Sequence, residues 1–312
     1  MKKLLVSILL MMSLAGQSHA ASAIKMTVAT GIDPSLAAFY IGKVGGFFEK
    51  NGLDVTLNTG ASGSAMVPFL VRNQVQAVFG GEQAGIQTNA LDPDVVVAAE
   101  MLQVQQYMGI VGKGVADVAA LKGKRIGVVL GSASEVFWNA FISKLGLNAN
   151  DYNIVPVEPP EMLAALERGD IDAAAAYEPW LTRILRSVKG AKLIRDNIGI
   201  INNRSFVYLN KTWAERNPDA AASFMKALVQ ATDFIHSNPD QAAQEVSSFL
   251  KLDLDLTKLL MAKMDYKVRM MPDSVAYLKS VEAQLAKSGK LKKAVNWDDF
   301  VYDKPLMRAQ AN

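Results

Sequence analysis

The chain has 312 residues, half of them hydrophobic, with 33 Lys and Arg against 30 Asp and Glu and no cysteine. That length supports a sizeable core and about two domains. The absence of thiols excludes disulfides, cysteine-ligated zinc and a cysteine nucleophile, and the near-balanced charge gives no bulk attraction to nucleic acid or to a membrane surface.

Residues 1–20 read as a secretory leader. Lys2 and Lys3 precede an apolar run over 4–15, and Ser18-His19-Ala20 ends in small residues at cleavage spacing, which predicts a cut after Ala20. The apolar run is shorter than the roughly 20 residues that a membrane span needs. With no cysteine to carry a lipid, the expectation is a free periplasmic protein. Without Lys2 and Lys3, 31 basic residues stand against 30 acidic ones, a net charge of +1.

Beyond the leader, strand-like runs fall at 24–29, 53–58, 75–79, 95–99, 107–111, 125–130, 153–157, 171–176, 192–195 and 206–209, with helical patterns between several of them. This alternation implies an α/β chain with mostly parallel sheets and helices on both faces. Past Thr212 the pattern changes. Asn217-Pro218-Asp219 and Asn238-Pro239-Asp240 each read as an N-cap followed by proline in the first turn, and only helices are expected from there to about residue 289.

One segment, LERGDIDAAAAYEPW from Leu166 to Trp180, sets the architecture. Met162, Leu163, Ala165 and Leu166 form one face of a helix that opens at Pro159-Pro160. Gly169 suits the left-handed residue that ends it, and the alanines from Ala173 to Ala176 suit a strand buried on both faces. An earlier stretch, LVRNQVQAVFGG, repeats the unit: Leu70, Arg72, Val75 and Ala77 match Leu166, Arg168, Ile171 and Ala173 at an offset of 96 residues. Asn73 takes the place of Gly169, and asparagine is the next best residue at a left-handed position. Two similar lobes follow.

Ligands of open parallel sheets bind beyond the carboxyl ends of the strands, so the loops there hold the candidates. TGIDPS offers Asp33 and Ser35, NTGASGS offers Thr59 and Ser62, GGEQAG offers Glu82 and Gln83, LGSASE offers Ser132 and Ser134, and YEPW offers Tyr177, Glu178 and Trp180. Gly- and Ser-rich loops at helix starts present free N–H groups to anions; the plainer role for Thr59, Ser62, Ser132 and Ser134 is N-capping. Glu178 could equally form a surface ion pair, and Trp180 could pack beneath its loop. Signals for catalysis are weak. His19 leaves with the leader, His236 sits near a helix end, and no phosphate-binding loop or serine-hydrolase turn occurs. No enzyme activity, metal or cofactor is expected.

FYIGKVGGFFEKNGLDVTL, LKGKRIGVVLGSASEVFW and VEPPEMLAALERGDIDAAAAYEPWLTRIL together resemble the sulfonate, taurine and nitrate group of periplasmic substrate-binding proteins of ABC importers. The resemblance implies the two-lobed type II binding-protein fold. Lobe 1 would comprise 23–106 and 211–312 and lobe 2 would comprise 107–210, with two crossings as the hinge. It also implies a monomer that closes on a small ligand and hands it to a permease with its ATPase subunit. Taurine binders of this group carry an acid near the position of Ser205, which makes Ser205 a candidate contact and argues against taurine here. The resemblance leaves a sulfonate or a carboxylate, with a flat body resting on Tyr177, Trp180 or Phe39, as the expected ligand. A neutral pyrimidine or flavin precursor, or a sensory role, is the alternative. A related group builds a thiamine pyrimidine with its own histidine and cysteine.

Overall fold

The computed structural model describes residues 23–104, 106–291 and 293–311; the leader lies outside them. In chain order the strands are β1 (Ile24–Thr30), β2 (Leu53–Thr59), β3 (Ala77–Gly81), β4 (Val95–Val104), β5 (Met108–Lys113), β6 (Arg125–Val128), β7 (Asn153–Pro156), β8 (Ala173–Tyr177), β9 (Ala191–Asp196), β10 (Asn203–Asn210) and β11 (Met264–Arg269). They form a six-stranded sheet, β11-β4-β10-β3-β1-β2, and a five-stranded sheet, β7-β6-β8-β5-β9. Each sheet is the centre of one lobe. The chain crosses between them twice, after β4 and before β10.

Each sheet has a parallel part and an antiparallel part. β1 runs parallel to β2 and β3, pairing Ile24 with Leu53 and Val28 with Ala77, and β6 runs parallel to β7 and β8. β10 lies antiparallel between β3 and β4, and β5 lies antiparallel between β8 and β9. The sheets are therefore mixed rather than mostly parallel. The reason is the crossings: a strand that enters a sheet from the other lobe starts at the cleft, where the parallel strands end, and so runs against them.

The internal repeat is real in three dimensions. β3 begins at Ala77 and β8 at Ala173, 96 residues apart, and each follows a left-handed residue, Asn73 at φ 55° and Gly169 at φ 81°. β8 is central, and its four alanines are almost wholly buried. They let helices approach closely on both faces.

Three expectations need correction. β10 belongs to the first sheet, so the chain returns to lobe 1 before Asn203, not at Lys211. The helical tail contains β11, whose buried Met264, Tyr266 and Val268 alternate with exposed Asp265 and Lys267; this period-2 signal is short and lies between helices. Asn217 and Asn238 do precede the helices Pro218–Ser237 and Pro239–Leu250, but neither side chain makes a cap bond. Asn217 Nδ2 instead donates to Trp213 O.

Candidate ligand-binding cleft

The carboxyl ends of β1, β2, β3, β6 and β8 converge on one pocket between the lobes. Its wall is Asp33, Ser35, Ser62, Gly63, Ser64, Gly80 and Gly81 from lobe 1, Ser132, Ala133 and Tyr177 from lobe 2, and Tyr107, Asn203 and Ser205 from the crossings, with Leu36 and Phe79 beneath. The free volume is about 40 Å³, enough for about three water-sized groups.

Two helix starts face this space. Ser62 begins the turn Gly63–Met66 and its Oγ accepts from Ala65 N at 3.2 Å, while Ser132 begins the helix Ala133–Lys144 and its Oγ accepts from Ser134 N. First-turn N–H groups, here those of Gly63, Ser64 and Ala133, have no acceptor inside their own helix and favour an anion. Hydroxyl protons divide the serines further. Ser132 Oγ donates to Val129 O at 2.8 Å and Ser134 Oγ donates to Ala175 O at 2.6 Å, so both protons are spent on the fold. Ser62 and Ser205 donate to no described residue, so their protons are not committed to the fold.

The pocket wall also holds an acid. Asp33 caps the turn Pro34–Leu36, as its sequence position predicts. Its Oδ1 accepts from Ser35 N at 2.8 Å, from Ser35 Oγ, and from Tyr107 OH at 2.7 Å, while Oδ2 takes no hydrogen bond from any described residue. Burial raises the Asp33 pKa, and the bonds from Ser35 and Tyr107 oppose that rise. Burial, then the Asp33 charge, pushes the Tyr107 and Tyr177 phenols far up, so both stay neutral donors. Their rings lie nearly parallel, 6.1 Å between centroids. Asn197 holds Tyr107 in place: its Oδ1 accepts from Tyr107 N and Met108 N, and its Nδ2 donates to Ile201 O, which ties the two crossings together.

Asp33, Ser35, Ser62, Ser132, Tyr177 and Ser205 thus line the pocket, and the other candidates do not. Phe39 is fully buried in lobe 1 between Phe79 and Phe224. Thr59 is an exposed end of β2, paired with Thr30. Ser134 stitches its loop to β8. Glu82 turns away to accept from Tyr277 OH, and Gln83 reaches Glu135 of lobe 2. Glu178 neither enters the pocket nor forms an ion pair with any described residue; it accepts from Thr182 N and Oγ1 and so fastens the helix Trp180–Ser187. Trp180 is half-buried beneath the Arg183 guanidinium. His236 lies in the last turn of Pro218–Ser237, outside the pocket.

Sequence reading missed Tyr107, Asn203, Ser64 and the β3 glycines. Tyr107 and Asn203 lie at the starts of crossing strands, where a rule about parallel strand ends does not look. Ser64 was legible, standing two residues after Ser62 in the same loop.

Two mixed sheets, two crossings and a polar pocket between them define the two-lobed periplasmic binding-protein fold. Residues 33–242 match the family described as NMT1/THI5 like, and the chain belongs to that family. It is 26% identical over 212 residues to a putative binding protein of Brucella abortus (strain 2308), covering 67% of this chain and 66% of that protein, just under two thirds of its length. The taurine-binding periplasmic protein of Escherichia coli (strain K12) is 26% identical over 251 residues, 78% of this chain and 76% of that one. A 4-amino-5-hydroxymethyl-2-methylpyrimidine phosphate synthase of Aspergillus parasiticus is 26% identical over 229 residues, 68% and 66% of the two chains. Among solved structures, the alkanesulfonate-binding protein of Xanthomonas axonopodis pv. citri, bound to MOPS, superimposes with a TM-score of 0.81 at 17% identity, covering 91% of this chain and 99% of that one. Among the described residues no helix is long and apolar enough to cross a membrane.

Proposed function

We propose that the protein is an exported solute receptor of an ABC importer. It captures a small organic anion between its lobes and delivers it to a membrane permease and its ATPase subunit. The observation that carries this reading is the pairing of helix starts from both lobes, at Ser62 and Ser132, around one pocket. An anion there meets N–H groups of Gly63, Ser64 and Ala133 and the free hydroxyls of Ser62 and Ser205. Because these donors come from both lobes, the ligand favours the closed state by the contacts that only closure completes. The sulfonate-handling relatives lend this reading support.

Asp33 refines the ligand. Asp33 lines the pocket and its Oδ2 takes no hydrogen bond from any described residue, so a ligand that carries a donor beside its anionic group suits this site. The acid that the sequence comparison sought near Ser205 is supplied from another loop, which restores taurine and similar aminosulfonates as ligands of choice. A second reading, a neutral aminopyrimidine, is favoured by the same carboxylate beside the Tyr107 and Tyr177 rings.

Thermal unfolding with a panel of taurine, alkanesulfonates, benzoates, phthalates, nitrate, a thiamine pyrimidine and riboflavin tests both readings, on protein refolded to strip any carried ligand. A ligand at a hundred times its dissociation constant adds about 2.7 kcal/mol, or a melting shift of a few degrees. A shift with taurine or another aminosulfonate is expected. A shift with the pyrimidine or flavin alone overturns the anion assignment.

A further inference from the structure

Glu135 is 4% exposed and lies in the first turn of the helix Ala133–Lys144 in lobe 2. Its Oε2 accepts from Gly131 N at 2.9 Å, in the loop that leads to Ser132 and the cleft. Reaching back to an N–H just ahead of the helix is an ordinary capping contact and by itself implies nothing more. The remaining partners come from the other lobe. Gln83 Nε2, on the helix Glu82–Leu91, donates to Oε2, and Lys290 Nζ, beyond the helix Pro272–Lys287, pairs with Oε1. Gln87 Nε2 donates to Lys290 O at 3.3 Å, so the two lobe 1 partners are fastened to each other. A carboxylate that only capped its helix would need neither of them.

We propose that Glu135 is a positioning residue for ligand capture: Gln83 and Lys290 grip it when the lobes meet, and the same carboxylate then fixes the Gly131–Ser132–Ala133 loop against the ligand. Closure and the shape of the anion-facing loop are thereby one event. Lobe 1 supplies a neutral donor and a cation, lobe 2 the acceptor, and all three lie outside the pocket wall. The contact therefore adds to the closed state whatever ligand is bound. The proposal rests on the clamp reading above.

The lack of native cysteine makes the test clean. Gly81 has φ −71° and ψ 159°, which any residue adopts, and a Cβ placed there lies 3.5 Å from Ala133 N across the cleft and 3.2 Å from the flexible Ser64 Oγ. Gly81→Cys with Ala133→Cys therefore sets two thiols on facing walls of the cleft, and they are expected to cross-link only when the lobes are closed. With a slow oxidant, the rate of cross-linking in the ligand-free protein reports the closed fraction even when that fraction is small. Lys290→Met should slow cross-linking by about threefold to tenfold, since its pair is partly exposed, and Gln83→Ala by about tenfold or more, since it loses a buried hydrogen bond to a carboxylate. Gln83→Glu should slow it more, because it sets a carboxylate against Glu135. Lys290→Arg should keep the parent rate. Raising salt should slow the parent and leave Lys290→Met unaffected, a difference that a purely structural role would not produce. Equal rates in every variant overturn the proposal and leave the clamp standing. A cysteine pair that never cross-links, in a protein whose scattering radius also stays unchanged when it is saturated with a ligand that shifts its melting, removes the closed geometry and both readings with it.

Discussion

The most quantitative consequence of the structure concerns Glu82. Its carboxyl is 1% exposed, Oε1 accepts from Tyr277 OH at 3.1 Å, and Oε2 has no partner among the described residues. Burial pushes its pKa from 4.5 up to about 7. In the unfolded chain the group ionises near its ordinary value. Between about pH 4.5 and pH 7 the native state therefore keeps a proton that the unfolded state has lost, and stability falls as pH rises through that window. A gap of about 2.5 units corresponds to about 3 kcal/mol. Glu82→Gln has no such proton to lose. Its own cost, a buried amide N–H group without an acceptor, is about 1–3 kcal/mol and independent of pH. The readout is thus the slope and not the offset. The melting temperature of Glu82→Gln minus that of the wild type should be flat below about pH 4.5, rise, and level off above about pH 7, with an amplitude of roughly 6–12 °C. Parallel melting profiles of the two proteins from pH 4 to pH 8 would refute the argument that burial controls this carboxyl.

Other predictions follow from the same geometry. Ser62→Ala and Ser132→Ala should each lower stability by about 1 kcal/mol through loss of a cap. Only Ser62→Ala should also weaken binding of a panel anion by about tenfold or more, because its hydroxyl proton alone is free for the ligand; equal affinity loss in calorimetry would contradict the assignment of the two protons. Glu100 is wholly buried and pairs with Arg204 at 2.9 Å and Arg269 at 3.0 Å. Glu100→Gln should cost about 3 kcal/mol or more in urea unfolding, since it leaves both cations without their buried partner, and a loss under 1 kcal/mol would show that water or Asp273 replaces it.

Most strands of the alternating part of the chain were legible because they are short runs rich in apolar residues next to Gly, Asn or Pro, and the helices between them carry their own period. The repeat was legible for a related reason. A left-handed residue followed by a buried strand restricts residue choice at fixed spacing, so Asn73 and Gly169, then Ala77 and Ala173, keep their register over 96 residues. Half of the cleft was legible too. Asp33, Ser62, Ser132 and Tyr177 stand where parallel strands end, a place set by local sequence alone.

What the sequence left undetermined is the direction in which each side chain leaves its loop. Glu82 and Glu178 occupy equivalent places after β3 and β8, 96 residues apart, yet one turns to Tyr277 and the other to Thr182, and neither enters the cleft. Phe39 has the composition of a ligand platform, but its two aromatic neighbours, Phe79 and Phe224, pack it more completely inside lobe 1 than a solute could. Nor could one chain segment reveal that Tyr107, Asn203 and Ser205 meet Asp33. That meeting depends on β5 and β10 entering their sheets antiparallel, which brings the first residues of each crossing to the last residues of the parallel strands. Local pattern fixed which segments are strands and where their loops fall. The pairing of strands distant in the chain, and the closure of one lobe upon the other, decided which of those loop residues face a common space.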